Sequence, residues 1–168
     1  MLDFLFARLT AGQTRGAAAF DAVTKLAREP GFYREGKVPD TVDGRFAALA
    51  TVTALLLARL ERDGEGGARE SAAITERFIA AMEAEHREFG LGDPTLGKTV
   101  RKLVGSLARR LDLWREASEA NWGEATLHSL YSGKADPDAL VSSSARLRSI
   151  ADVFDRASLD EIAEGRIA

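Results

Sequence analysis

No cysteine occurs in the 168 residues. That absence excludes a disulfide framework, a thiol nucleophile and a thiolate metal site together. Histidine is nearly missing as well: His86 and His128 are the only two. Glu83 and His86 spell Glu-x-x-His, half of the motif of carboxylate-bridged di-metal bundles, but no second copy exists. No apolar run reaches the ~18–20 residues that span a bilayer. The longest, FAALATVTALLLA at 46–58, carries two threonines and reads as a buried central helix. The amino terminus, MLDFLFARL, has an early Asp3, no basic n-region and no Ala-x-Ala site, which argues against a secretory signal. A formal charge of -3 argues against DNA as a partner. Strand alternation is almost absent, no repeat period is visible, and Ser142–Ser144 is the single low-complexity patch.

What is present is helical spacing nearly everywhere. Leu2, Leu5, Phe6 and Leu9 would make a short amphipathic helix, packed on its own domain or touching a membrane surface. Ala17, Phe20, Val23 and Ala27 mark a helix over 14–28, and EPGFY (29–33) ends it, leaving Phe32 and Tyr33 in a loop. After Pro39, Asp40 or Thr41 can cap a helix carrying Val42, Phe46, Leu49, Val52, Leu56 and Leu60. Asp43, Gly44 and Arg45 belong to this start, with Asp43 and Arg45 as a neighbouring charge pair. DGEGG (63–67) reads as a flexible turn before a helix with Ile74, Phe78, Met82 and Phe89 on one face. A fourth long helix runs over 95–118, a shorter one closes at Gly133, Pro137 opens another, and a last short one follows Ser158. The expectation is all-α: one compact domain over 1–168, five to seven helices in a bundle that is not a coiled coil.

Residues 92–99, GDPTLGKT, spell the Walker A pattern. A phosphate loop needs a buried strand entering it and backbone donors around the phosphates. Here a charged amphipathic helix, FIAAMEAEHREF, precedes the loop, and Pro94 lacks an N–H. Gly90 and Gly92 read instead as helix-end and turn glycines. No catalytic, metal or cofactor residue is assigned. The more informative feature is the helix that follows. At ~100° per residue Lys98, Lys102 and Arg109 fall on one line with Arg101 beside it, opposite Leu96, Val100, Leu103, Leu107 and Trp114. Between 95 and 115, six cations stand against Asp112 alone. Such a face is either solvated and paired with neighbouring glutamates or a docking stripe for an acidic surface, RNA or anionic lipid.

VPDTVDGRFAALATVTALLLARL (38–60), FGLGDPTLGKTVRKLVGSLARRL (89–111) and EATLHSLYSG (124–133) together resemble the ubiquinol–cytochrome c chaperone family, which helps assemble the cytochrome bc1 complex. The resemblance spans about 15–133, with the C-terminal helices 134–168 beyond it. In its terms Gly90, Gly92, Asp93, Gly97 and Lys98 form a Gly-x-Gly-Asp turn followed by a basic helix, and Thr99 completes the Walker spelling by accident. It implies a bacterial, non-enzymatic assembly factor without a cofactor, cytoplasmic or peripheral at the inner membrane. The implied client is cytochrome b or its nascent chain, with the ribosome and a small helical protein as further partners of such factors. A holdase for a membrane subunit needs an apolar groove with a charged rim. Lys98, Arg101, Lys102 and Arg109 are the candidate rim, with Phe32 and Tyr33 as anchors for a partner or plugs of the chain's own core. The competing classes are a membrane-surface or RNA adaptor using the same stripe, and a metal- or nucleotide-binding helical enzyme around Glu83, His86 and the loop.

Overall fold

A computed structural model describes residues 15–88, 90 and 93–168, with the side chains of Asp93 and Pro94 outside the description. The expected helix of Leu2, Leu5, Phe6 and Leu9 and the turn glycine Gly92 lie outside the described residues. Helices α1 (Ala17–Ala27), α2 (Pro30–Tyr33), α3 (Val42–Leu60), α4 (Gly64–Glu88), α5 (Asp93–Arg115), α6 (Trp122–Tyr131), α7 (Pro137–Arg156) and α8 (Leu159–Ala163) follow one another, and no strand occurs among the described residues. The all-α expectation therefore holds.

The bundle is organised around α3. Residues 50–57, ATVTALLL, are buried without interruption. A helix apolar on all sides belongs inside a core, and α3 packs against α1, α4, α5, α6 and α7. Its two threonines cost little there, because each hydroxyl is bonded: Thr53 donates to the Leu49 carbonyl at 2.7 Å and Thr51 to the Ser129 carbonyl at 3.1 Å. Phe78 from α4 is fully buried and meets Phe20 edge-on at 6.4 Å and Phe46 at 6.0 Å. Contacts of this kind add ~0.5–1.5 kcal/mol each beyond area burial.

Two breaks expected from the sequence differ in the structure. Pro30 does stop α1, but it also starts α2, because its fixed φ suits the first helical position. Phe32 and Tyr33 thus sit on a short helix and not in a loop. The DGEGG stretch is not a flexible turn either. A single 3₁₀ turn, Glu61–Asp63, leads straight into α4 at Gly64. Gly67, inside the first turns of α4, lies so close to the end of α3 that a Cβ there would stand 1.9 Å from the Leu60 carbonyl oxygen. Gly66 and Gly67 thus serve close approach, while Gly64 takes a φ of 58° at the start of the helix with open space around it.

Capping follows the sequence closely. The Thr41 hydroxyl accepts from the Gly44 N–H at 3.2 Å, Asp136 caps α7 with Pro137 at its start, and Ser158 with Glu161 forms a complete capping box on α8. The expected Asp43–Arg45 pair does not form. Residues two apart on a helix do not face each other, and Arg45 donates instead to Asp40 at 2.6 Å. Asp43 stays exposed in the first turn of α3, where a carboxylate complements the helix dipole.

Candidate functional site

Ser129 ties together the three sequence blocks that carry the family resemblance. It is fully buried on α6. Its carbonyl accepts from Thr51 of α3 and, at 2.8 Å, from the Arg110 Nε of α5. Its hydroxyl lies 2.9 Å from the Thr51 hydroxyl and accepts from the Trp114 indole N–H at 3.1 Å. A second knot forms at Tyr131, whose hydroxyl donates to the Gly36 carbonyl at 2.5 Å and meets the Ser143 hydroxyl at 2.6 Å. These knots fix α3, α5, α6 and α7 relative to one another, and so fix the surfaces those helices carry.

Two of the six cations counted between 95 and 115 are structural. Arg110 turns inward: besides Ser129 it bonds the Ser106 carbonyl and hydroxyl, and its guanidinium lies 5.6 Å from the Phe46 ring centroid. Burial, and next the neighbouring Arg109 charge, lower its pKa to about 10. Arg115 is held by Glu61 at 2.9 Å and Asp112 at 2.6 Å. Its hydrogen bond pulls the Glu61 carboxyl below its ordinary value. Lys98, Arg101, Lys102 and Arg109 remain exposed, and none makes an ion pair among the described residues. Leu96, Val100, Leu107 and Trp114 on the opposite side of α5 are buried. The stripe thus faces outward.

The aromatic pair is placed differently. Phe32 is fully buried, with the Arg146 guanidinium 5.7 Å from its ring centroid, and this burial takes it out of the candidate contact set. Tyr33 is half-buried and its hydroxyl donates to the Ala27 carbonyl at 2.9 Å, tying α2 to the end of α1.

A recess of about 560 Å³ between α3, α5 and α7 was not foreseen from the sequence. Leu55, Trp114, Trp122 and Phe154 are among the residues that line it. The two indoles approach to 4.9 Å between centroids, and the Arg148 guanidinium covers Trp122 at 3.9 Å. Three ion pairs edge the opening: Arg148 with Glu119 at 2.6 Å, Arg115 with Glu61, and Arg62 with Asp155. Arg148 and Arg115 each bond both oxygens of their carboxylate, so this edge is held in place. The recess thus joins an aromatic floor to a charged edge, and Lys98, Arg101, Lys102 and Arg109 do not line it. Arg109 lines a separate polar recess with His128 and Ser132.

The Walker spelling dissolves on geometry. A helix ends at Glu88 before the loop, α5 already begins at Asp93, and Gly97, Lys98 and Thr99 lie inside that helix. Gly90 is left-handed at φ 78°, the conformation expected of a glycine after a helix, and its N–H bonds the Arg87 carbonyl at 3.0 Å. His86 turns back on its own helix, its Nδ1 2.8 Å from the Met82 carbonyl oxygen. No group of three or more potential metal ligands gathers among the described residues.

Fold and surfaces together define an all-α body with an outward cationic stripe on α5 and an aromatic-floored recess. Residues 34–167 match the ubiquinol-cytochrome C chaperone family, and the chain belongs to it. The match runs through α7 and α8, beyond the blocks on which the sequence resemblance rested. The crystal structure of the Cbp3 homolog from Brucella abortus is similar at TM-score 0.78 and 24% identity, over 100% of this chain and 96% of that one. At that identity the likeness shows the fold. No curated protein matches the chain.

Proposed function

We propose that this protein is a non-enzymatic chaperone of cytochrome bc1 assembly that holds cytochrome b, or its nascent chain, before its partner subunits are in place. Membership of the ubiquinol-cytochrome C chaperone family over residues 34–167 carries the reading. An immature multi-helix membrane subunit exposes apolar segments joined by charged loops. The α5 stripe (Lys98, Arg101, Lys102 and Arg109) steers acidic stretches of those loops by charge, and the Trp114–Trp122 recess takes an apolar side chain. This division suits a transient holder, since charge sets the encounter rate while apolar burial supplies affinity. No helix among the described residues is long and apolar enough to cross a membrane.

The test is affinity purification of the tagged chain from cells with and without the cytochrome b gene, alongside bc1 levels after deletion of the chaperone gene. Cytochrome b should co-purify and bc1 should fall severalfold. Unchanged bc1 with no cytochrome b recovered would contradict the proposal.

A further inference from the structure

The junction of α1, α2 and α3 holds a second charged recess, of about 590 Å³, lined by Arg28, Pro30, Tyr33, Arg34, Asp40 and Arg45. Three guanidinium groups and one carboxylate line it, and that carboxylate is already engaged: Arg45 Nε donates to Asp40 at 2.6 Å. Arg28 and Arg34 cap the C-terminal ends of α1 and α2. A cation at the C-terminus of α1 is favourable, which suits Arg28, while Arg34 follows the single turn of α2, and this arrangement engages neither guanidinium. It leaves their charged ends without an ion-pair partner among the described residues. Tyr33 stands between these groups. Its phenol pKa is raised first by burial and then by Asp40, and is drawn back by Arg45 and Arg28. The lining residues therefore carry a surplus of two positive charges in a chain whose formal charge is -3, with Glu85 acting on Arg45 from outside the lining.

Chemistry selects among anions. A planar carboxylate is satisfied by one guanidinium, as Asp40 is by Arg45. Guanidiniums arriving from three different elements suit a tetrahedral oxyanion with more acceptors and more charge. Val42, exposed at 44%, lies three residues before Arg45 on the same helix face, outside the recess lining.

We propose that this recess binds a phosphate group, with Arg28, Arg34 and Arg45 as donors, and that a phospholipid headgroup or free phosphate is its source. The site is separate from the α5 stripe and does not depend on the identity of the client.

The experiment compares the full chain with Arg28→Gln/Arg34→Gln and with Lys98→Gln/Lys102→Gln. Melting is followed in inorganic phosphate against chloride at equal ionic strength, and flotation with phosphatidylglycerol against phosphatidylcholine vesicles. Wild type and the lysine variant should gain roughly 3–6 °C at a tenfold excess over Kd, and Arg28→Gln/Arg34→Gln should gain nothing. If the source is lipid, phosphatidylglycerol binding also falls by about tenfold or more in the arginine variant. If it is free phosphate, the thermal response appears without flotation. Arg34→Gln alone, read the same way, covers the case in which the double variant melts early in chloride. The proposal is overturned by an equal phosphate response in wild type and both arginine variants. It is equally overturned by no response with no arginine-dependent flotation, or by arginine-dependent binding of polyglutamate with neither.

Discussion

Gly44 sits in the first turn of α3, where glycine ordinarily weakens a helix by ~1 kcal/mol relative to alanine. Here the sign reverses. A Cβ at this position would stand 1.9 Å from the Pro39 carbonyl oxygen, and that atom is backbone. Gly44→Ala must therefore push apart the segment that Thr41 caps and Asp40 pins to Arg45. Overpacking of this kind costs ~1–3 kcal/mol. In a chain of this size that is a fall of roughly 3–10 °C in Tm, measurable by calorimetry. The Ser129 knot is exposed to the opposite fault. Thr51→Val keeps the shape but removes one hydroxyl from a buried network, and the loss should be ~1–3 kcal/mol in urea unfolding. Ser129 does not announce its role in sequence, because Thr51 lies on another helix. Gly44, by contrast, belongs to a legible helix start whose close approach to Pro39 appears only in the folded turn.

The helices themselves were legible wherever apolar residues recur three and four apart, since that period is what buries one face. The α5 assignment is the clearest case: the buried Leu96, Val100, Leu107 and Trp114 and the exposed Lys98, Arg101, Lys102 and Arg109 all fall where the spacing places them. Breaks were harder to read. Proline and glycine punctuate a chain, but the same letters serve a helix start at Pro30 and a tight helix crossing at Gly67. Charge was harder still, because an arginine's partner is set in three dimensions. Arg110 looks like its neighbour Arg109 in sequence, yet one is bonded to Ser129 and the other faces solvent. The outward stripe carries its own prediction. Lys98→Glu/Lys102→Glu reverses two exposed charges with no described ion pair, so Tm should move by no more than about 2 °C. Recovery of cytochrome b with the tagged chain should nevertheless drop severalfold. A large loss of Tm would show that these lysines are structural.

At the scale of the whole molecule, the aromatic-floored recess explains why sequence reading missed part of the candidate site. Leu55, Trp114 and Phe154 come from three helices far apart along the chain and meet only after α3, α5 and α7 have packed. The central claim is that the finished bundle presents its α5 stripe to an immature membrane subunit. Site-specific photo-crosslinking in living cells from position 98, with exposed Asp21 on α1 as the control position, tests it most directly. The account predicts that the chain captured from position 98, and not from position 21, is cytochrome b. Capture of cytochrome b equally from both positions, or from neither, would contradict it.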